Sequence, residues 1–94
     1  MFEIDQQGFA AAFAAGARVI DVREPHEYAV GHVPGAQLIP LAHLAANIRT
    51  IRGAGPVYVI CASGNRSRAG AQTLTAAGLE AYSVQGGTAA WLAA

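Results

Sequence analysis

Residues 56–74 have the sequence PVYVICASGNRSRAGAQTL, and this stretch decides the fold. Its residues 57–60 form a short apolar run rich in branched side chains, which is typical of a buried strand. The residues from about position 67 onwards favour a helix. Cys61 therefore lies where a strand ends, ahead of a tight loop that leads into a helix N-terminus. This position favours a lowered cysteine pKa and an anion nearby, because a helix N-terminus has unpaired N–H groups and a partial positive charge.

Strands and helices alternate along the rest of the chain. We predict strands at residues 19–22, 38–39, 57–60 and 81–84, helices at residues 5–15, 25–28, 41–48 and 67–77, and a last helix after Gly86 and Gly87. The alternation predicts an α/β fold with a small, mostly parallel sheet and helices on both faces. A length of 94 residues is enough for a single domain spanning residues 1–94.

Two polar segments follow predicted strands and should therefore meet. Asp21 and Arg23 come at the end of the first strand, and the loop from Cys61 to Arg66 follows the third. In parallel sheets the carboxyl ends of the strands share one rim, which is where ligands bind. We expect Asp21 and Arg23 to support this rim, and direct contact with a substrate remains open for them.

The composition excludes several classes of function. Hydrophobic residues make up 53% of the chain and charged residues 13%, and six arginines balance six acidic residues. A net charge of zero argues against electrostatic binding to nucleic acid or to an anionic membrane. A single cysteine cannot form an intramolecular disulfide, so we expect a reducing compartment, the cytoplasm. The histidines lack metal-ligand spacing, so we expect no metal and no cofactor.

The loop after Cys61 has the residue types that a reactive thiol requires. A thiol attacks only as a thiolate, and a free cysteine is mostly protonated at neutral pH. Gly64 permits a tight turn in which backbone N–H groups can surround an anion. Arg66 adds a permanent cation, and Ser67 is suited to hold the first turn of the helix. The alternative is a buried cysteine that only packs, which is the common role of a lone cysteine.

The loop also resembles that of the cysteine phosphatases, but it is shorter. Four residues separate Cys61 from Arg66, whereas the phosphatases have five. A smaller ring around a thiolate suits a single transferable sulfur atom better than a phosphoryl group.

Motifs along nearly the whole chain resemble the single-domain rhodaneses, which are sulfurtransferases. These motifs are DVRE at residues 21–24, Glu27-Tyr28, GHVPGA at residues 31–36, the loop at residues 61–67, and Gly86-Gly87 with Ala90-Trp91. The resemblance implies the rhodanese-like fold. It also implies that Cys61 takes sulfur from a donor such as thiosulfate, forms a persulfide, and passes the sulfur to cyanide, a thiol or a carrier protein.

The resemblance assigns roles to the loop residues. Cys61 is the nucleophile, the persulfide is held by Ala62, Ser63, Gly64, Asn65 and Arg66, and Ser67, Asp21 and Arg23 support the site. Many members of the family carry a second cation in this loop, which is absent here. We therefore expect weak affinity for doubly charged thiosulfate.

Three other functions stay open at the level of sequence. The chain could be a persulfide carrier with little turnover of its own, a small cysteine phosphatase or arsenate reductase, or an interaction domain without activity. The intact Cys61 and Arg66 argue against the last of these. The short loop argues against the phosphatase and the reductase.

Overall fold

The computed structural model describes residues 2–53 and 55–94. It contains one five-stranded sheet in which all neighbouring strands are parallel. The strands are β1 (Phe2–Ile4), β2 (Arg18–Asp21), β3 (Gln37–Leu38), β4 (Val57–Ile60) and β5 (Ala81–Val84). Their spatial order is β1-β5-β4-β2-β3, so the strand that precedes Cys61 lies at the centre. The predicted α/β fold with a parallel sheet is confirmed.

Helices cover both faces of this sheet. They are α1 (Gln6–Ala14), α2 (Pro25–Val30), α3 (Ile48–Ile51), α4 (Asn65–Ala76) and α5 (Gly87–Ala93). Among the described residues, no helix combines the length and the apolar character that a membrane crossing requires.

The side chains of β4 alternate between two apolar clusters, as the pleat of a strand requires. Val59 and Cys61 belong to the cluster that includes Leu74 of α4, whereas Tyr58 and Ile60 belong to the one that includes Phe9 of α1. This alternation gives the cysteine a fixed direction, towards the face that α4 covers.

Helix α4 lies very close to the sheet because a glycine faces it. A Cβ atom at Gly70 would lie 3.1 Å from Val59 Cγ1 and 3.2 Å from Leu44 Cδ2. The close approach brings the start of α4 directly against the end of β4, which is where the cysteine loop connects them.

The predicted helix at residues 41–48 is wrong in type. The structure has two 3-10 turns, Leu41–His43 and Ala45–Asn47, followed by the short α3. The Leu44 and Asn47 amides bond to carbonyls three residues earlier, and the Asn47 side chain donates to the His43 carbonyl at 2.8 Å. This side-chain bond competes with the backbone bonds of an α-helix.

Strand β1 was not predicted, and some boundaries differ from the prediction. Strand β3 spans Gln37–Leu38, whereas the sequence predicted residues 38–39. The Ile39 amide still donates to the Asp21 carbonyl at 2.9 Å. Helix α4 begins at Asn65, two residues before the predicted start. The loop between Cys61 and the helix is therefore shorter than expected, and Arg66 belongs to the helix itself.

Candidate functional site

The residues that the sequence proposes for the site lie at the rim formed by the carboxyl ends of the strands. Asp21 at the end of β2 is paired in register with Ile60, the residue before Cys61. On the other side of β4, Ser83 of β5 is paired with Val59. The cysteine loop therefore rises between two strands that each contribute a polar side chain, with Ser83 at the level of Val59 and Asp21 at the level of the next residue.

The thiol of Cys61 lies inside a turn of backbone N–H groups. The residue is 1% exposed, and the Gly64 amide donates to its Sγ at 3.1 Å. Burial raises the pKa of this thiol, but the Ser67 hydroxyl and the backbone N–H groups of Ser67, Gly64 and Ser63 together lower it below its ordinary value. The geometry thus favours the thiolate, because hydrogen bonds to the charged form stabilise it.

Gly64 permits this arrangement through its backbone conformation. Its φ of 113° lies in the left-handed region, which side chains with a Cβ rarely adopt. The turn directs its amide to the sulfur and passes the chain into α4. The glycine that the sequence singled out is therefore needed for the shape of the loop.

Ser67 joins the loop to the neighbouring strand. Its hydroxyl lies 3.1 Å from the Gly64 carbonyl oxygen and 2.8 Å from the Ser83 hydroxyl, and both serines are fully buried. A hydroxyl has one hydrogen, so Ser67 can donate to only one acceptor at a time: the Gly64 carbonyl, the Ser83 hydroxyl or the Cys61 thiolate. The sequence predicted support from Ser67, but it gave no role to Ser83.

The start of α5 fixes the other side of the loop. The Thr88 amide donates to the Cys61 carbonyl at 2.8 Å, and the Ala89 amide donates to the Ala62 carbonyl at 3.0 Å. These bonds turn the two carbonyl oxygens away from the thiol, towards α5. Gly87 allows the contact, because a Cβ there would lie 2.5 Å from the Cys61 oxygen.

Arg66 lies at the mouth of the loop and is held by a carboxylate of α2. Its Nη1 and Nη2 donate to Oε1 and Oε2 of Glu27 at 2.7 and 2.8 Å. The hydrogen bonds from Arg66 are the main reason that the pKa of Glu27 falls to about 2. Glu27 belongs to one of the motifs that resemble the rhodaneses, but the sequence did not predict its pairing with Arg66.

Asp21 and Arg23 form a buried ion pair beneath the rim. Arg23 Nε and Nη2 donate to the Asp21 carboxylate, at 2.9 Å for the shortest contact, and Nη2 also donates to the Gly31 carbonyl at 2.8 Å. Asp21 is 0% and Arg23 6% exposed. The pair therefore braces the segment after α2 against the sheet instead of presenting a charge to a ligand.

The remaining loop residues lie at the surface of the site. Ser63 and Asn65 are exposed, and Ala62 is half-buried.

His32 stacks on Tyr28, with ring centroids 3.6 Å apart, and its Nδ1 lies 2.9 Å from the Tyr28 carbonyl oxygen. Across residues 2–53 and 55–94, no three His, Cys, Asp or Glu residues lie close enough together to hold a metal ion.

Comparison with known proteins gives one family. The model of the Rhodanese-like domain family matches residues 5–94. The chain is 39% identical over 77 residues to the thiosulfate sulfurtransferase GlpE of Pseudomonas fluorescens, which covers 81% of this chain and 71% of that protein. It is 40% identical over 92 residues to the uncharacterized protein YqhL of Bacillus subtilis, covering 97% of this chain and 72% of that protein.

A solved structure agrees with the sequence relatives. The crystal structure of a rhodanese-related protein from Thermoplasma volcanium superposes with a TM-score of 0.91 at 31% sequence identity. The match covers 99% of this chain and 92% of that chain. The likeness therefore extends over the whole sheet and its helices.

Proposed function

The chain belongs to the Rhodanese-like domain family, and from that membership we propose that it is a sulfurtransferase that works through a persulfide on Cys61. It acts as one domain over residues 1–94 and moves sulfane sulfur from a donor such as thiosulfate to a nucleophilic acceptor. The acceptor is cyanide in the assay and a thiol or a carrier protein in the cell. The proposed compartment is the cytoplasm, where the thiol stays reduced.

The placement of the thiol is the single observation that supports this function most strongly. A Gly64 amide at 3.1 Å from Sγ and the further N–H groups around it lower the pKa of Cys61 despite its burial. In a persulfide the negative charge moves to the outer sulfur, one bond beyond Sγ, and the N–H groups that line the same loop can stabilise it there. A cysteine that served only for packing would not require such a ring of donors.

The proposed reaction has two steps. In the first, the Cys61 thiolate attacks the outer sulfur of thiosulfate, the new Sγ–S bond forms, and sulfite leaves with the electron pair of the broken S–S bond. One thiolate and one dianion thus become one persulfide anion and one dianion. In the second step an acceptor nucleophile takes the outer sulfur and the Cys61 thiolate is restored. Two half-reactions of this kind predict ping-pong kinetics.

Mass spectrometry of the intact protein tests the intermediate. We expect the protein to gain one sulfur atom when it is incubated with thiosulfate and to lose it when cyanide is added. The Cys61→Ser variant should gain none while keeping its fold, as judged by circular dichroism and thermal unfolding. A sulfur gain in Cys61→Ser, or no gain in the wild type, would contradict the proposal.

Steady-state kinetics separate the proposed enzyme from the alternatives. A persulfide carrier would load one sulfur and then stop, whereas a sulfurtransferase would turn over thiosulfate and cyanide continuously. Hydrolysis of an aryl phosphate, or reduction of arsenate, that is lost in Cys61→Ser would instead favour the phosphatase or reductase.

A further inference from the structure

The only cation of the cysteine loop is already paired. Arg66 uses both terminal nitrogens on the two oxygens of Glu27, at 2.7 and 2.8 Å. The two side chains are 37% and 25% exposed, so the pair lies at the open side of the loop and not beneath it. A bidentate pair of this kind is the strongest form of the arginine–carboxylate contact. The net charge of the pair is zero, so little positive charge is left to attract an anionic donor.

The second arginine near the loop is paired as well. Arg23 is 6% exposed and bonds to the fully buried Asp21. Among the described groups at this rim, the two arginines are thus each matched by a carboxylate, and the Cys61 thiolate adds one more negative charge. The charge of Cys61 and that of Asp21 both act on Arg66, after the larger effect of Glu27, and raise its pKa.

These charges bear on which donors can approach. Because Cys61 is 1% exposed, a donor must present its outer sulfur to the ring and leave the rest of the molecule at the mouth. In thiosulfate that remainder is a sulfonate group, and the molecule carries two negative charges. If it draws Arg66 to itself, the Glu27 carboxylate remains uncompensated at the same mouth. A donor with one negative charge, or with none, meets less repulsion.

We propose that Glu27 sets the charge preference of this site, so that its best donors are thiosulfonates and persulfides with at most one negative charge instead of thiosulfate. This inference rests on the proposed sulfur transfer at Cys61. For a persulfide donor, the Cys61 thiolate bonds to the outer sulfur, the donor S–S bond breaks, and the donor thiolate leaves with the electron pair. For a thiosulfonate donor the same bond forms, the S–S bond breaks, and a sulfinate leaves with the electron pair. Any proton on the outer sulfur stays with it, so atoms and charges balance.

Two small donors that differ by one charge test the proposal. Thiosulfate is a dianion, and methanethiosulfonate replaces one oxygen anion by a methyl group and is a monoanion. Both deliver a sulfane sulfur to cyanide, and kcat/KM is measured for each. The quantity of interest is the ratio of kcat/KM for thiosulfate to that for methanethiosulfonate, because a general loss of folded protein lowers both values and leaves the ratio unchanged.

Three variants separate charge from position. Glu27→Gln removes the charge and keeps an oxygen that can accept from the Glu24 amide, which donates to Glu27 Oε1 at 2.9 Å. Glu27→Asp keeps the charge but is too short for the same bidentate contact. Glu80→Gln removes one carboxylate before β5, at the opposite end of the sheet, where the Glu80 carbonyl accepts from the Val57 amide.

We expect the wild type to prefer methanethiosulfonate. The ratio should rise about fivefold in Glu27→Gln, the effect of removing one nearby charge on a donor with one extra charge, and stay near the wild-type value in Glu27→Asp and Glu80→Gln. The rise should shrink at high ionic strength, because salt screens exposed charges.

Other outcomes overturn the inference. An unchanged or lower ratio in Glu27→Gln contradicts it, and an equal change in Glu27→Asp would show that Glu27 acts by positioning Arg66. If the wild type turns over both donors and the ratio of the two kcat/KM values is the same in Glu27→Gln, the inference fails and the proposed function stands. If intact-mass measurement shows no sulfur gained from either donor, the proposed function itself fails, and the inference with it.

Discussion

Ser67 is the side chain through which the sheet acts on the thiol. Its hydroxyl bonds to Ser83 at 2.8 Å and makes the largest of the contributions that lower the pKa of Cys61, against the opposing effect of burial. We expect Ser67→Ala to raise this pKa and to slow alkylation by iodoacetamide at neutral pH. The measurement is the rate of alkylation against pH, with the wild-type midpoint expected below the ordinary value of 9.0.

Ser63→Ala is the matched control for this prediction. It removes an exposed hydroxyl from the same loop and keeps the backbone amide that faces the thiol. Its alkylation midpoint should stay at the wild-type value. An unchanged midpoint in Ser67→Ala would show that the backbone amides alone set the ionisation of Cys61.

Among single residues, the sequence predicted those of the cysteine loop but not the residues of other elements that contact it. Cys61, Gly64 and Arg66 are neighbours along the chain, so their proximity follows from the sequence itself. Ser83 reaches the site through the pairing of β4 with β5, and Glu27 through the ion pair that joins α2 to Arg66 of α4. Neither contact leaves a signal in the spacing of residues, which is why both roles emerged only from the structure.

Among the secondary-structure elements, α5 depends on a single glycine for its contact with the cysteine loop. Gly87 has a φ of 58°, and a Cβ there would lie 2.5 Å from the Cys61 oxygen and 2.6 Å from the Ala62 oxygen. We expect Gly87→Ala to lower the free energy of unfolding by about 3 kcal/mol, through backbone strain and the clash together. Urea unfolding measures this change.

Gly16→Ala separates the strain from the clash. Gly16 has a φ of 88°, and no described atom lies within 4 Å of a Cβ built there. Only the backbone strain should remain, which costs about 1–2 kcal/mol. Equal losses in the two variants would mean that the loop moves aside for the methyl group without cost. In that case α5 would not fix the direction of the loop carbonyls.

Elements were predictable where periodicity or glycines mark them and not elsewhere. The strand at residues 57–60 was predicted with the observed bounds, because it is a continuous apolar run. Strand β1 has only three residues at the edge of the sheet, so its alternation of apolar and polar residues is too short to indicate a strand. Leu41 and Leu44 are three residues apart, a spacing that fits a 3-10 turn as well as an α-helix.

For the whole molecule, the alternation of strands and helices was enough to predict a parallel sheet, but not its order. Strand β4 pairs with β2, although β3 lies between them in the sequence, and β5 pairs with β4. The pairing of β1 with β5 joins the start of the described chain to its last strand, with Phe2 opposite Tyr82. Such a pairing of distant segments is decided by the packing of the completed fold.

The Glu27–Arg66 pair links α2 to α4 across the mouth of the site, and it should make global stability depend on acid. Because the pKa of Glu27 is lowered from 4.5 to about 2 in the folded protein, its contribution is complete above pH 4.5 and disappears as the pH falls towards 2. We expect the wild type to exceed Glu27→Gln by about 1 kcal/mol in free energy of unfolding at pH 6, since the pair is partly exposed.

Urea unfolding of both proteins between pH 6 and pH 2 measures this difference, and a second background shows its source. If the ion pair is responsible, Glu27→Gln should cost nothing when Arg66 is already replaced by Gln, because the partner charge is gone. A difference that persists at low pH, or in the Arg66→Gln background, would show that the ion pair is not the source of the effect. The charge at the mouth would then contribute to donor choice without holding α2 and α4 together.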